Sequence, residues 1–299
     1  MLNSSTILQI NNLSKSYGSV KALSNLSIEV SQGQVFGILG PNGSGKTTTL
    51  SILTGILQQD AGDFYWFGEK SNASVRRRIG SLIETPSFYP YLSLENNLKL
   101  IAQVKESGFK DIPEVLTLVK LYERRKSRFS TLSLGMKQRL GIASTMLGNP
   151  PVMVLDEPTN GLDPEGIAEV REIILQQSDA GKTIIMASHI LSEVEKVCSD
   201  VAILKSGQLL AQGSVKSLLK GESLLEVKAK DLILLKGILE NCPFVNSVQP
   251  ENSSLKVSLK EGSSSSDLNK FVFENGLILT EIILYQKTLE SQFLELVKG

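Results

Sequence analysis

An apolar run, Val35–Leu39, leads at once into Gly40-Pro41-Asn42-Gly43-Ser44-Gly45-Lys46-Thr47-Thr48, and the residues from Thr47 to Leu57 then read as a helix. No other feature limits the fold of this chain so strongly. Closely spaced glycines let the backbone curl until successive N–H groups point inward at an anion. A helix beginning behind such a loop adds the positive end of its dipole. Lys46 can set a full charge against the β- and γ-phosphates of a nucleotide, and Thr47 can offer a hydroxyl to Mg²⁺. Every fixed position of G-x-x-x-x-G-K-[ST] is present between a strand and a helix, the context that gives this pattern its meaning. A strand–loop–helix unit of this kind belongs to a parallel α/β sheet.

Two further strand ends carry polar groups. Val152-Met153-Val154-Leu155 is a buried-strand candidate that ends in Asp156-Glu157. Acids are costly to place at the end of a buried strand unless they have work there, and ligands of open α/β sheets bind at the carboxyl ends of strands. Asp156 is the expected Mg²⁺ partner, and Glu157 is placed to orient an attacking water. His189, the only histidine of the chain, follows the apolar run Thr183–Ala187. It is expected to contact the γ-phosphate and to steady the water or Glu157.

The remaining sequence suggests how these parts are distributed. Ile7–Leu13 is a short strand candidate, and Leu26, Ile28 and Val30 alternate with polar residues ahead of a turn at Ser31–Gly33. Residues from about 93 to 147 read as mainly helical, with Gly108 and Pro113 as breaks, so a helical subdomain of about 85–147 is expected between two core strands. After about residue 217 the pattern becomes β-α-β-β-α-β with a final helix, a small ferredoxin-like α+β extension over 218–299. The fold class is therefore α/β with an inserted helical subdomain and a small C-terminal α+β domain.

Bulk properties exclude several functions. The chain has 299 residues, 41% of them hydrophobic, and a formal net charge of zero. A globally basic nucleic-acid binder is disfavoured. No run of about 18 apolar residues occurs, so no spanning helix is expected, and the N-terminus lacks the basic start and apolar stretch of a signal peptide. Cys198 and Cys242 show no ligand spacing and are expected to be idle thiols.

The phosphate loop alone indicates a P-loop NTPase. Leu132-Ser133-Leu134-Gly135-Met136-Lys137-Gln138-Arg139 closely resembles the LSGGQQQR signature of ABC ATPases, with Leu134 and Met136 in place of a glycine and a glutamine. Gly135 is expected to open a helix with Met136, Leu140, Ala143 and Leu147 on one apolar face. The resemblance covers about residues 7–215. It implies that Tyr17 stacks on adenine, that Gly161-Leu162-Asp163 forms a loop whose Asp163 reaches across a dimer, and that Ser133 and Gly135 grip the γ-phosphate held by a second subunit. ATP and Mg²⁺ are the implied ligands, with the nucleotide held by Tyr17, Gly40–Thr48, Ser133, Gly135 and Asp163. Lys46, Glu157 and His189 are the implied catalytic groups.

One position departs from the pattern. Ile79-Gly80-Ser81-Leu82-Ile83-Glu84-Thr85-Pro86 carries Glu84 where most family members have a glutamine, as in the bacitracin-resistance and lantibiotic-immunity group of exporters. Glu84 is placed with Thr47 and Asp156 near the metal. The resemblance implies a homodimer that drives a separately encoded membrane permease from the cytoplasmic face of the membrane, exporting antimicrobial peptides or related amphiphiles, with no nucleic acid as partner. The alternative is a soluble ABC ATPase acting on ribosomes or nucleic acid, which usually has two cassettes in one chain or a long coiled coil.

Overall fold

The computed structural model describes residues 6–219, 223–260, 262–285 and 288–298. The chain divides into two compact units, Met1–Val215 and Lys216–Gly299.

The first unit opens with two long antiparallel strands, β1 (Thr6–Tyr17) and β2 (Val20–Ser31), then β3 (Val35–Leu39) and α1 (Lys46–Leu53). β1 and β2 outrun their alternating patterns because bulges break the period, with Asn12 and Asn25 at φ 50° and 51°. Helix α1 ends at Leu53, earlier than the expected Leu57. Gly55 turns left-handed at φ 79°, and the Trp66 indole donates to the Leu53 carbonyl at 3.0 Å. Next come β4 (Ala61–Trp66), β5 (Glu69–Lys70), α2 (Ala73–Arg77) and β6 (Ile79–Leu82). A helical stretch follows: α3 (Leu94–Lys105), α4 (Ile112–Leu118), two 3₁₀ turns and α5 (Leu134–Met146). Pro113 starts α4 rather than breaking it, since proline needs no donor in a first turn. The core then resumes with β7 (Val152–Asp156), α6 (Pro164–Asp179), β8 (Thr183–Ser188), α7 (Leu191–Val197), β9 (Asp200–Lys205) and β10 (Gln208–Ser214).

The central sheet has the order β10-β9-β3-β8-β7-β6, parallel except for β10. β2-β1-β4-β5 form a second, antiparallel sheet. Leu8, Ile10, Leu26 and Trp66 from that sheet share one buried cluster with Phe36, Ile38 and Val154 of the central sheet and Leu50 and Leu53 of α1. Helix α1, and the loop that starts it, is thereby fixed between two sheets. Helix α5 is buried all round from Gln138 to Met146 instead of on one face, because it is wedged against β6. A Cβ on Gly80 would lie 1.9 Å from the Thr145 carbonyl oxygen, and one on Gly141 would lie 2.7 Å from Pro86.

Helix α8 (Val215–Leu219) leads to the second unit: β11 (Ser223–Ala229), α9 (Leu232–Glu240), β12 (Val245–Glu251), β13 (Ser254–Leu259), α10 (Ser265–Glu274), β14 (Leu279–Tyr285) and α11 (Leu289–Lys298). Its antiparallel sheet has the order β12-β13-β11-β14. Leu225, Val227, Val257 and Leu259 pack with Leu235, Leu239, Leu268 and Val272 of α9 and α10. Asp231 and Ser264 cap those two helices, the latter through a reciprocal capping box with Asp267. Cys198 and Cys242 are free and buried. Among the described residues, no helix is long and apolar enough to cross a membrane.

Candidate active site

β3, β8 and β7 are neighbours, and their carboxyl ends meet at one edge. β3 runs into residues 40–45, β7 ends at Asp156, and β8 ends at Ser188 just before His189.

The loop closes on glycine geometry. Gly45, the residue before α1, has φ 103°, and a Cβ there would approach the Ala22 carbonyl oxygen to 2.6 Å. Lys46 is buried. Its Nζ donates to the carbonyls of Gly40 (2.8 Å) and Pro41 (3.3 Å), and lies 3.6 Å from Glu157 Oε1. The ammonium is thus held by neutral loop carbonyls, which the fully charged oxygens of an incoming phosphate can replace.

Glu157 sits in the left-handed region at φ 46°, a conformation that costs free energy for a non-glycine residue. Its N–H donates to Ala187 of β8 at 3.0 Å. This turn carries the carboxylate between two cationic or donor groups: Lys46 on Oε1 and His189 Nδ1, 2.8 Å from Oε2. An ionised carboxylate only accepts, so the proton of a neutral His189 ring lies on Nδ1 and Nε2 is the acceptor.

Asp156 is 2% exposed, and its Oδ1 has no hydrogen-bond partner. Burial pushes its carboxyl above the usual range. The hydroxyl of Thr47 and the charge of Lys46 act the other way, and the charges of Glu157 and Glu84 add to the rise. Glu84 itself is exposed two residues beyond β6, at φ 59°. Its charge reaches Asp156, but its side chain does not line the cleft.

That cleft has a volume of about 500 Å³ and is lined by residues 42–48 with Tyr17, Val20, Ala22, Glu157, Asn160 and His189. Tyr17 ends β1 and stands half exposed at its rim. Ser133, Gly135 and Asp163 lie elsewhere, with Arg139 and Gly161 in a separate cleft of about 400 Å³. Ser133 accepts the Met136 N–H at the start of α5, and Asp163 accepts the Gly166 N–H at 2.9 Å at the start of α6. Each therefore caps a helix within its own chain. One chain brings Tyr17, the loop, Glu157 and His189 together. It does not bring Ser133, Gly135 or Asp163 to them.

Sequence reasoning missed Val20, Ala22 and Asn160. Val20 is 64% exposed at the start of β2, and its place at the cleft comes from the hairpin that follows Tyr17 rather than from a sequence signal. Asn160 gives no sequence signal of its own, and its place comes from the turn in which its N–H donates to the Glu157 carbonyl at 3.1 Å.

This fold and cleft define a phosphate-loop nucleotide-binding protein. Residues 23–160 match the family model described as ABC transporter. The chain is 37% identical to the bacitracin transport ATP-binding protein BcrA of Bacillus licheniformis, over 99% of this chain and 98% of that one. It is 40% identical to the lantibiotic transport ATP-binding protein SrtF of Streptococcus pyogenes, over 69% of this chain and 90% of the relative. Among solved structures, an ATP-binding subunit of an ABC transporter superposes with a TM-score of 0.65 at 30% identity, covering 71% of this chain and 92% of the other. The chain belongs to the ABC transporter ATP-binding protein family: it is an ATP-binding, ATP-hydrolysing subunit of a transport system.

Proposed function

We propose that this subunit dimerises head to tail around two MgATP and drives a separate membrane permease that exports antimicrobial peptides or related amphiphiles. The observation that carries the reading is the Glu157 carboxylate, set over the phosphate loop between Lys46 and His189. In this scheme the adenine rests on Tyr17 and the phosphates lie against Gly40–Thr48. Lys46 exchanges its loop carbonyls for phosphate oxygens. Glu157 accepts the proton of the attacking water, and His189 keeps that carboxylate in place and steadies the γ-phosphate. Most of the rate gain is positioning and charge neutralisation.

The residues fit a divalent cation: a buried carboxylate oxygen without a partner, Asp156 Oδ1, stands beside the Thr47 hydroxyl at the mouth of the loop. Thr47 and Asp156 would hold Mg²⁺, with Glu84 adding negative charge from outside the cleft. The ion supplies neutralisation of phosphate charge when bound.

Two features support the dimer. Ser133, Gly135 and Asp163 line a cleft apart from the phosphate loop, and a second copy turned head to tail would bring them to the γ-phosphate. Helix starts such as that of α5 suit anions. The separate permease, a place at the inner face of the membrane through it, and a peptide cargo are supported by full-length likeness to the bacitracin transport protein BcrA and by likeness to the lantibiotic transport protein SrtF.

Steady-state ATP hydrolysis by the purified chain beside Glu157→Gln, with size exclusion in MgATP, tests the scheme. The expected outcome is turnover by the wild type, and a Glu157→Gln protein that does not turn over but runs as an ATP-dependent dimer. A variant that hydrolyses ATP like the wild type would remove Glu157 as the base. A variant that stays monomeric in ATP would remove the sandwich.

A further inference from the structure

The tip of the β1–β2 hairpin, which carries Tyr17 to the cleft, outruns its neighbour on one side. β2 accompanies β1 as far as the pair Tyr17 and Val20, whereas β4 pairs with it only to Ser14 and Ala61. The β1–β2 register also shifts between Lys15 and Ser16, and such a bulge leaves the ladder locally disrupted. Lys15, Ser16 and Tyr17 therefore project past the end of β4, with Tyr17 half exposed at the rim.

Asp60, the residue before β4, takes up the pairing where that strand stops. Its N–H donates to the Ser14 carbonyl at 2.9 Å. Two residues further along β1, the Ser16 N–H donates to Asp60 Oδ2 at 2.7 Å. The carboxylate thus stands in for a backbone acceptor and adds one rung to the ladder. Its other oxygen, Oδ1, accepts from Lys15 Nζ at 2.7 Å, and that ammonium lies 5.9 Å from the centroid of the Tyr17 ring, within reach of a cation–π attraction. The Lys15 ammonium first, and the Ser16 N–H after it, hold the Asp60 carboxyl below the usual carboxylate range. One side chain so fixes both the backbone that leads into Tyr17 and the cation against its ring. The loop that carries Asp60 is in turn tied to α1, with Ile56 N and Leu57 N donating to the Ser51 carbonyl at 2.8 and 3.1 Å. That helix begins at the phosphate loop.

We propose that Asp60 is a positioning residue for the nucleotide base: it sets where the Tyr17 ring stands at the cleft, and with that the affinity for adenine nucleotides. The inference rests on the reading that adenine stacks on Tyr17. Asp60 is not among the residues that line the cleft, so it acts through Tyr17 and not on the ligand. A half-exposed ion pair adds little to the stability of a fold. The consequence of this contact therefore lies in the placing of the ring rather than in the melting temperature. Stacking depends on facing surfaces, and a gap of about 0.5–1 Å already forfeits a quarter to a half of the attraction between two atoms.

The test is titration calorimetry of the whole purified chain with MgADP, beside displacement of that ADP by magnesium pyrophosphate, which has phosphates and no base. Loss of an aromatic platform under a base costs about fivefold or more in affinity. Tyr17→Ala is expected to show that loss for ADP and none for pyrophosphate. Asp60→Ala is expected to weaken ADP by about three- to fivefold, a part of the same stacking, again with pyrophosphate unchanged. Its nucleotide-free melting temperature is expected to stay within about 3 °C of the wild type. Asp60→Asn keeps an oxygen for the Ser16 N–H and is expected to recover most of the affinity. In a Tyr17→Ala background Asp60→Ala is expected to have no further effect, because the two residues act as one unit. The proposal is overturned if Asp60→Ala binds ADP like the wild type while Tyr17→Ala does not, if it weakens pyrophosphate as much as ADP, or if its loss adds in full to that of Tyr17→Ala. A Tyr17→Ala protein that binds ADP like the wild type would overturn the base-stacking reading itself, and this inference with it.

Discussion

His189 Nδ1 lies 2.8 Å from Glu157 Oε2 across 32 residues of chain, the two side chains leaving the ends of adjacent parallel strands. The contact depends on two unlike devices: a left-handed turn at Glu157 and a strand end at Ser188. His189→Ala should remove the support and leave the phosphate loop intact. We expect kcat to fall by at least about tenfold, a modest share of what acid–base groups contribute, with ATP affinity little changed. Parallel turnover and nucleotide-binding measurements check this. Unchanged kcat would make the histidine a bystander.

The separation of the two clefts makes a mixing experiment decisive for the head-to-tail dimer. Ser133→Arg blocks the signature side of both sites in a homodimer, and Glu157→Gln blocks the catalytic side of both. Each variant alone should be inactive. Mixed in equal amounts, some dimers place the intact Ser133 of one chain opposite the intact Glu157 of the other. Activity should then return to about one quarter of wild type under random pairing and independent sites. No recovery on mixing would mean that the two clefts do not complete each other.

Asp156 is a buried carboxylate whose protonation is favoured by burial above all. An acid with a raised folded-state value binds more protons folded than unfolded, so it costs stability once the pH is above both values. Asp156→Asn should therefore raise the nucleotide-free melting temperature at neutral pH, by about 2–4 °C for each kcal/mol relieved. It should also lose the Mg²⁺-dependent part of the stabilisation that MgATP gives the wild type. Scanning calorimetry with ATP plus EDTA, and then with MgATP, separates the two effects.

Lys105 offers a pH test away from the site. Its Nζ donates to the Leu147 carbonyl at 3.3 Å at the end of α5, and burial lowers its value from 10.5 to about 8, with Lys182 adding to the shift. Between those values the unfolded chain binds more protons, so this group's contribution to stability rises from pH 8 to 10.5 and is unfavourable below. Lys105→Met should gain most over the wild type near pH 7, and the gain should shrink as pH rises through this window. A melting-temperature difference that is flat with pH would contradict it.

Gly80 is the packing counterpart. With a Cβ predicted to meet the Thr145 carbonyl oxygen at 1.9 Å, Gly80→Ala must push α5 from β6. Overpacking of this kind costs about 1–3 kcal/mol. Because Ser133 sits at the other end of α5, hydrolysis should fall as well as stability. Denaturant midpoints and turnover measured on the same preparation check both.

The sequence by itself determined the parts whose geometry is local. The loop from Gly40 to Thr47, the acids ending Val152–Leu155 and a helix start near Gly135, found one residue earlier at Leu134, each follow from a few adjacent residues, because turn conformation, strand termination and helix capping are settled within a handful of backbone angles. The alternating patterns of β1 and β2 indicated strands but fell short of their lengths, since bulges at Asn12 and Asn25 break the period. β4, β5 and β10 carry no distinctive pattern, whereas β9, with the apolar run Val201–Leu204, is of the same kind as Val152–Leu155. The even burial of α5 could not be foreseen from Met136, Leu140, Ala143 and Leu147, because it depends on what packs around that helix. Only the tertiary structure decided that β7 lies beside β8, and so that Glu157 meets His189, that Lys46 reaches the same carboxylate, and that Ser133 and Asp163 face a different cleft. Sheet order joins residues far apart in the chain through long-range burial and backbone pairing, and no short stretch of sequence encodes it.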